Sequence, residues 1–226
     1  MDDLNQQLEA VYRDLDLTIA ALQLCSGLRC RDGCGDCCNS PNVEVMVLEM
    51  LPMAKQIIAE GQSDEVYDTL MATGAGRCIH FQGNPEDNTQ GRCQRYEKRP
   101  SICRLFGFAA RTCKNGRDRE FIACRWQKTL YAESLSRIDE GLRQGEITVP
   151  VYQEVSMLLA GLTESSRLRA RLPINIALAQ AIEILSIQAS YQCSSISFAS
   201  ENPVDGTLNQ ISVSSAEISS DAALII

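Results

Sequence analysis

Four cysteines fall within nine residues, Cys30, Cys34, Cys37 and Cys38, in the segment CRDGCGDCC. The spacing is C-x3-C-x2-C-C, interrupted by Gly33 and Gly35, and Asn, Ser and Pro follow it. Loop chemistry of this kind does not sustain a long helix or strand. It does let the backbone fold tightly, so that several thiolates converge on one ion without clashing Cβ atoms. Cys78, Cys93, Cys103 and Cys124 extend the pattern, with Cys113 between the last two. For structural zinc such ligation contributes ~10–16 kcal/mol to folding, enough to hold irregular chain together. An isolated cysteine is more often a small buried hydrophobe. That is how Cys25 and Cys193 read, on helix-like segments away from the cluster. His80, the single histidine, stands two residues after Cys78 and reads as a polar loop residue rather than a ligand.

The adjacent pair Cys37-Cys38 constrains any such site. Neighbouring side chains diverge in a helix and in a strand. The two sulfurs are therefore expected to serve two metals, or to have one ligate while the other contacts or reacts. Eight thiolates suffice for two four-sulfur zinc sites. Alternatively, four hold one 4Fe–4S cluster and the others support it.

The charge distribution bears on the same region. The net charge is −8, yet Arg92 to Lys128 holds eleven Lys/Arg against three Asp/Glu, which makes +8 there and −16 elsewhere. An acidic chain has little affinity for nucleic acid through its overall field. The local basic block admits three readings. Arg95, Lys98, Arg99, Arg104 and Arg125 offset the roughly −2 charge of each four-thiolate site and donate N–H bonds to sulfur. Otherwise they form a solvated basic loop, or a surface for an anionic ligand or partner.

The N-terminus, MDDLNQQLEAVYRDLDL, is acidic and polar where a secretory signal needs a basic start and an apolar run. No stretch approaches the ~18–20 apolar residues of a membrane helix. We therefore expect a soluble, cytoplasmic protein, where a reducing environment favours metal ligation or redox chemistry over a disulfide framework.

Aromatic residues make up only 5% of the chain, so the core must rest on Leu, Ile, Val and Ala, a composition that favours helices. Leu4, Leu8, Val11, Leu15, Ile19 and Leu22 form one helical face over 3–24, ending near Gly27. A second helix is expected over 43–60, kinked or broken at Pro52. A short third helix spans 64–72, capped by Ser63. CIHFQ and GRCQRY flank a turn-rich segment and predict a hairpin. Pro100 suits the first turn of a short helix over 100–106. Helices then follow over 124–143, 151–171 and 173–189. The last stretch, over 195–226, turns to Ser, Asn, Asp and small residues and predicts a disordered tail.

Taken together, CRDGCGDCC (30–38), the lone Cys78 and GRCQRYEKRPSICRLF (91–106) resemble the YkgJ-like cysteine-cluster proteins, a family described as zinc- or iron-chelating. The likeness covers roughly 28–126. It implies a metal site of Cys30, Cys34, Cys37, Cys38, Cys78, Cys93, Cys103 and an eighth cysteine, Cys124 in preference to Cys113. Tyr96, Arg99, Pro100 and Arg104 match family positions. The family also contains enzymes that methylate lysines of flagellin, although no glycine-rich loop for a methyl donor is visible here. C-x3-C-x2-C is also the spacing of radical-SAM enzymes, but Asp36 stands where those have an aromatic residue, and the downstream chain lacks strand–helix alternation.

The expected fold is mainly α, a helical bundle flanking an irregular cysteine-rich module with at most a short β-hairpin. Its parts are an amphipathic helix over 1–27, the cluster domain over 28–126, helices over 127–190 packing on the same core, and a Ser-rich tail over 191–226. The expected cofactor is a 4Fe–4S iron–sulfur cluster or zinc, with a redox, metal-handling or assembly role. The alternatives are a cluster-dependent modifying enzyme such as a protein lysine methylase, with Cys37 or Cys38 as reactive thiol, and an interaction factor with structural zinc. The expected partners are a metal ion or cluster and, through the face of helix 4–22, a protein; a nucleic acid is not expected.

Overall fold

The first helix, α1 (Asp2–Ser26), follows directly from its apolar spacing: Leu8, Tyr12, Leu15, Ile19 and Leu22 are buried along one face. Asp2 and Asp3 complement the partial positive charge of its first turn. Gly27, with φ of 73°, takes the left-handed conformation that ends it. The computed structural model describes residues 1–87 and 90–197, without the side chains of 192–197.

The segment expected to be one helix over 43–60 divides instead. Val43 to Val47 is rich in β-branched residues and extends as β1 (Glu44–Met46), then tightens through a 3-10 turn (Val47–Met50) into α2 (Leu51–Ala59). Pro52 therefore sits in a first helical turn, where its missing N–H costs nothing, and kinks no helix. Three short elements come next: α3 (Ser63–Thr73), the expected hairpin as β2 (Phe81–Gly83) and β3 (Gly91–Cys93), and α4 (Ser101–Leu105). A second hairpin follows, β4 (Ala110–Thr112) with β5 (Arg119–Phe121). Its turn is tied by Asn115 and Asp118.

The segment 124–143 also divides, into α5 (Arg125–Leu130) and α6 (Ala132–Gln144), because Tyr131 leaves helical geometry. Similarly 151–171 becomes α7 (Tyr152–Gly161) and α8 (Ser166–Arg169). The last elements are β6 (Arg171–Pro173) and α9 (Ile174–Ser197). β6 pairs antiparallel with β1, placing Leu172 opposite Val45. α9 runs beyond 191, where the tail is expected to begin, and the remainder of that tail lies outside the described residues.

The chain is thus mainly α, with three two-stranded antiparallel sheets among the described residues rather than the single hairpin expected. Residues Met1–Ser190 form one compact unit. Within this unit, Leu8, Leu48, Met50, Leu105, Ile138, Leu159 and Leu178 are fully buried in one cluster, so elements from both sides of the cysteine segments share a core. Among the described residues, no helix is long and apolar enough to cross a membrane.

Candidate metal centre

Seven cysteines, Cys30, Cys34, Cys37, Cys38, Cys78, Cys93 and Cys103, line one cavity of about 540 Å³. They come from four separate stretches: the loop 30–38, the turn before β2, strand β3 and helix α4. Each is held by identifiable contacts.

The loop lies against the hairpin. Gly91 donates its N–H to the Gly33 carbonyl (3.0 Å), and Cys34 bridges to Gln90. The approach is so close that a Cβ on Gly35 would stand 2.6 Å from the Phe81 ring, and one on Gly91 2.4 Å from it. These glycines of CGDCC and GRC let the two cysteine segments meet. Cys78 is placed from the far end of the chain. Asn175 on α9 accepts from the Ile79 N–H (3.1 Å) and donates to the carbonyls of Gly74 (3.1 Å) and Arg77 (3.0 Å).

Cys103 sits on α4, whose start is fixed by Glu49. That buried carboxylate accepts from the Ser101 N–H (2.9 Å), the Ser101 hydroxyl and the Met46 N–H (3.0 Å). Arg104, also buried, donates from Nη2 to the Glu97 carbonyl (2.7 Å) and from Nε to the Arg99 carbonyl (3.0 Å). It pairs through Nη1 with Asp16 of α1. Pro100, expected in the first turn, stands one residue earlier as the extended N-cap of α4.

Cys124 does not line the cavity, although its charge is among the influences that raise the Cys30 pKa. It is the N-cap of α5, accepting at Sγ from the Gln127 N–H (3.4 Å), and Gln127 Oε1 accepts in turn from the Cys124 N–H (3.0 Å). Asp36, within the first cysteine loop, takes both guanidinium arms of Arg125 and the indole N–H of Trp126. Arg31 stacks on that indole, 4.3 Å from its centroid. Cys113 lies apart, on the β4–β5 hairpin.

The Cys37–Cys38 pair departs from the expected divergence. Residues 36–39 form a turn rather than helix or strand, and the two Sγ atoms stand 4.0 Å apart. Sharing a proton with Cys38, together with burial, pushes the Cys37 thiol far above its ordinary value. Burial pushes Cys30 up to about 11, helped by Cys37, Cys34 and Cys124. It does the same for Cys78, also to about 11, and raises Cys93. Cys103 is raised further, by burial and then by Cys78, Cys37 and Cys93. The thiols thus fall into two electrostatic groups, Cys30–Cys34–Cys124 and Cys78–Cys93–Cys103, and Cys37 belongs to both. Among the described residues, no three His, Cys, Asp or Glu side chains already form a group that could hold an ion.

Two expectations need correction. Cys25 is exposed on the last turn of α1 rather than buried, and its thiol donates to the Leu22 carbonyl (3.4 Å). His80 is buried, not a solvated loop residue; its Nε2 has no partner, and burial pulls its pKa down to about 4. The side chain of Cys193 lies outside those described. The sequence reading missed Glu49, Asn175 and Gln127, which orient the cysteine-bearing segments. Their signal was faint: polar residues at positions where the helical spacing asks for apolar ones.

Residues 29–131 match the model of the CxxCxxCC family, described as a "putative zinc- or iron-chelating domain". Over these residues the chain is similar to that family. The matched segment takes up just under half of the 226 residues and includes all eight candidate ligands. Chelation of zinc or iron is the class of function this match supports. No curated protein and no solved structure matches the chain.

Proposed function

We propose that this protein binds zinc or an iron–sulfur cluster through Cys30, Cys34, Cys37, Cys38, Cys78, Cys93, Cys103 and Cys124, with Cys113 outside the ligand set. The observation that carries the reading is the convergence of seven thiols from four chain segments on one cavity. The cysteine side chains that line it are soft donors, and thiolates select zinc and iron–sulfur centres. The donor set fits either group. A tetrahedral zinc with Zn–S bonds of ~2.3 Å separates its sulfurs by about 3.8 Å, close to the 4.0 Å between Cys37 and Cys38. Loading the site would draw the other sulfurs together and displace their protons, because a bound cation inverts the electrostatics that now favour neutral thiols. The function follows as metal handling, electron transfer or assembly, with the cysteines as the working groups.

The cavity volume favours a second reading. About 540 Å³ lies within the range of small-molecule sites, which is more than a closed four-sulfur zinc site needs. A modifying enzyme would use that space for a cosubstrate, and a methyl donor would then raise the melting temperature in a saturating way. Anaerobic purification with metal analysis and an absorption spectrum tests the main reading. Stoichiometric zinc without colour, or iron with broad absorption near 400 nm (about the region of sulfide-to-iron charge transfer), is the expected result. Neither metal at stoichiometric level would overturn it.

A further inference from the structure

Of the five basic side chains the sequence sets beside the cysteines, four are already matched by carboxylates. Arg95 reaches Glu60 (2.6 Å), Lys98 reaches Glu9 (2.9 Å), Arg104 holds Asp16, and Arg125 holds Asp36 (2.7 Å). Arg99 is different. Its side chain is 14% exposed, and its nearest carboxylate is Asp16, 3.8 Å from Nη2 and already engaged by Arg104. Its guanidinium lies 3.6 Å from the centroid of the Tyr96 ring, which fixes its plane. Nε and Nη1 are buried and have no hydrogen-bond partner.

A buried charged donor without an acceptor costs more than a neutral one. A stacked, planar fork of this kind is built to meet an anion. Arg99 lines the same cavity as the seven cysteines. Its charge acts on Cys30 from one thiol group and on Cys93 from the other, lowering the cost of ionising each. Its place in the chain is fixed as well: Pro100 follows it, and Arg104 grips its carbonyl.

We propose that Arg99 is the positioning residue and counter-charge of the thiolate centre, donating its free Nε and Nη1 hydrogens to the sulfur atoms once these carry negative charge. The proposal rests on the metal-binding reading and assigns one guanidinium to it out of the whole basic block. In the thiol form Arg99 has only its stacking and one long ion pair. In the thiolate form it gains acceptors. Its contribution should therefore fall on the loaded protein and not on the stripped one.

The test uses the full chain, stripped and reduced under anaerobic conditions, as wild type, Arg99→Gln and Arg99→Lys. Cobalt(II) is titrated first, followed by zinc in competition with a chelator. All three proteins are expected to reach the same stoichiometry. Arg99→Gln should bind ~10–100-fold more weakly, as outer-shell substitutions do, and Arg99→Lys should fall between the two. The sulfur-to-cobalt absorption should move to longer wavelength in Arg99→Gln, since a sulfur without its donor gives up electron density more easily. Stripped Arg99→Gln should melt no lower than stripped wild type. Equal affinity and an unmoved absorption band in Arg99→Gln would overturn the proposal while leaving the metal reading intact. So would a loss of affinity accompanied by a lower melting temperature of the stripped variant, which marks a folding role; if Arg99→Gln does not fold, Arg99→Lys is judged by the same comparison. A wild type that takes up neither metal would overturn the metal reading itself.

Discussion

Asp36, between Cys34 and Cys37, holds Arg125, the residue after Cys124, through both carboxylate oxygens at 2.7 and 2.8 Å. The two residues are 89 positions apart, and their contact places the last candidate ligand beside the first cysteine loop. Arg125 is largely exposed and Asp36 half-buried, so solvent screens the pair and its contribution to global stability is small. Asp36→Asn is expected to leave the melting temperature almost unchanged. Metal affinity, measured by chelator competition, should fall about tenfold as Cys124 loosens from the first cysteine loop.

The choice of eighth ligand is open to a direct comparison. Cys124 is tied to the first cysteine loop through Arg125 and Asp36, whereas Cys113 sits on a separate hairpin. Cys124→Ser should lower metal content and affinity, and Cys113→Ser should match wild type in both, as read by metal analysis of anaerobically purified protein. The reverse result would reassign the ligand.

Glu49 and Ser101 tie α4, and with it Cys103, to the turn that precedes α2. Glu49→Ala leaves the Ser101 and Met46 donors buried without an acceptor. We expect a loss of about 3 kcal/mol, which for a chain of this size lowers the melting temperature by roughly 6–12 °C. Calorimetry of the stripped protein is the check.

Gly91 has no room for a methyl group against Phe81 and the Gln82 carbonyl. Gly91→Ala should cost ~1–3 kcal/mol through overpacking and push the cysteine loop off the hairpin. The expected signature is a weaker metal site together with a lower melting temperature. That combination separates it from Asp36→Asn.

Stability of the stripped protein should depend on pH at both ends. Cys30 and Cys78 have folded pKa values raised to about 11 from 9.0, so their contribution is complete below pH 9 and is lost as pH rises toward 11. His80 is depressed to about 4 from 6.5, so its contribution is complete above 6.5 and is lost as pH falls toward 4. Denaturant midpoints across pH 4–11 should form a plateau between these limits, and His80→Asn should flatten the acid side. Metal affinity should rise with pH throughout, since ligation requires the thiolate.

Much of the secondary structure was legible because it rests on local rules. The α1 face, the hairpin around Gly83 and Gly91, and the Pro100 start of α4 each follow from spacing or turn chemistry within a few residues. The misreadings share a cause. The run 43–60 carries enough apolar residues for a helix, but Val45 pairs with Leu172, far along the chain, and that partner makes the segment a strand. Likewise, local periodicity does not report the break at Tyr131.

By itself the sequence determined which donor groups this protein carries. Eight cysteines at restricted spacings, among glycines, supply thiol donors, because donor type is a property of the side chain alone. The tertiary structure decided the arrangement. It brought Cys78 to the cavity through Asn175 on the last helix, and brought Cys124 toward the first cysteine loop through Asp36 and Arg125. It also selected Arg99 from a run of cations by satisfying the others with carboxylates distant in sequence. These outcomes depend on which groups meet across the core, a matter of packing and desolvation that no local pattern encodes.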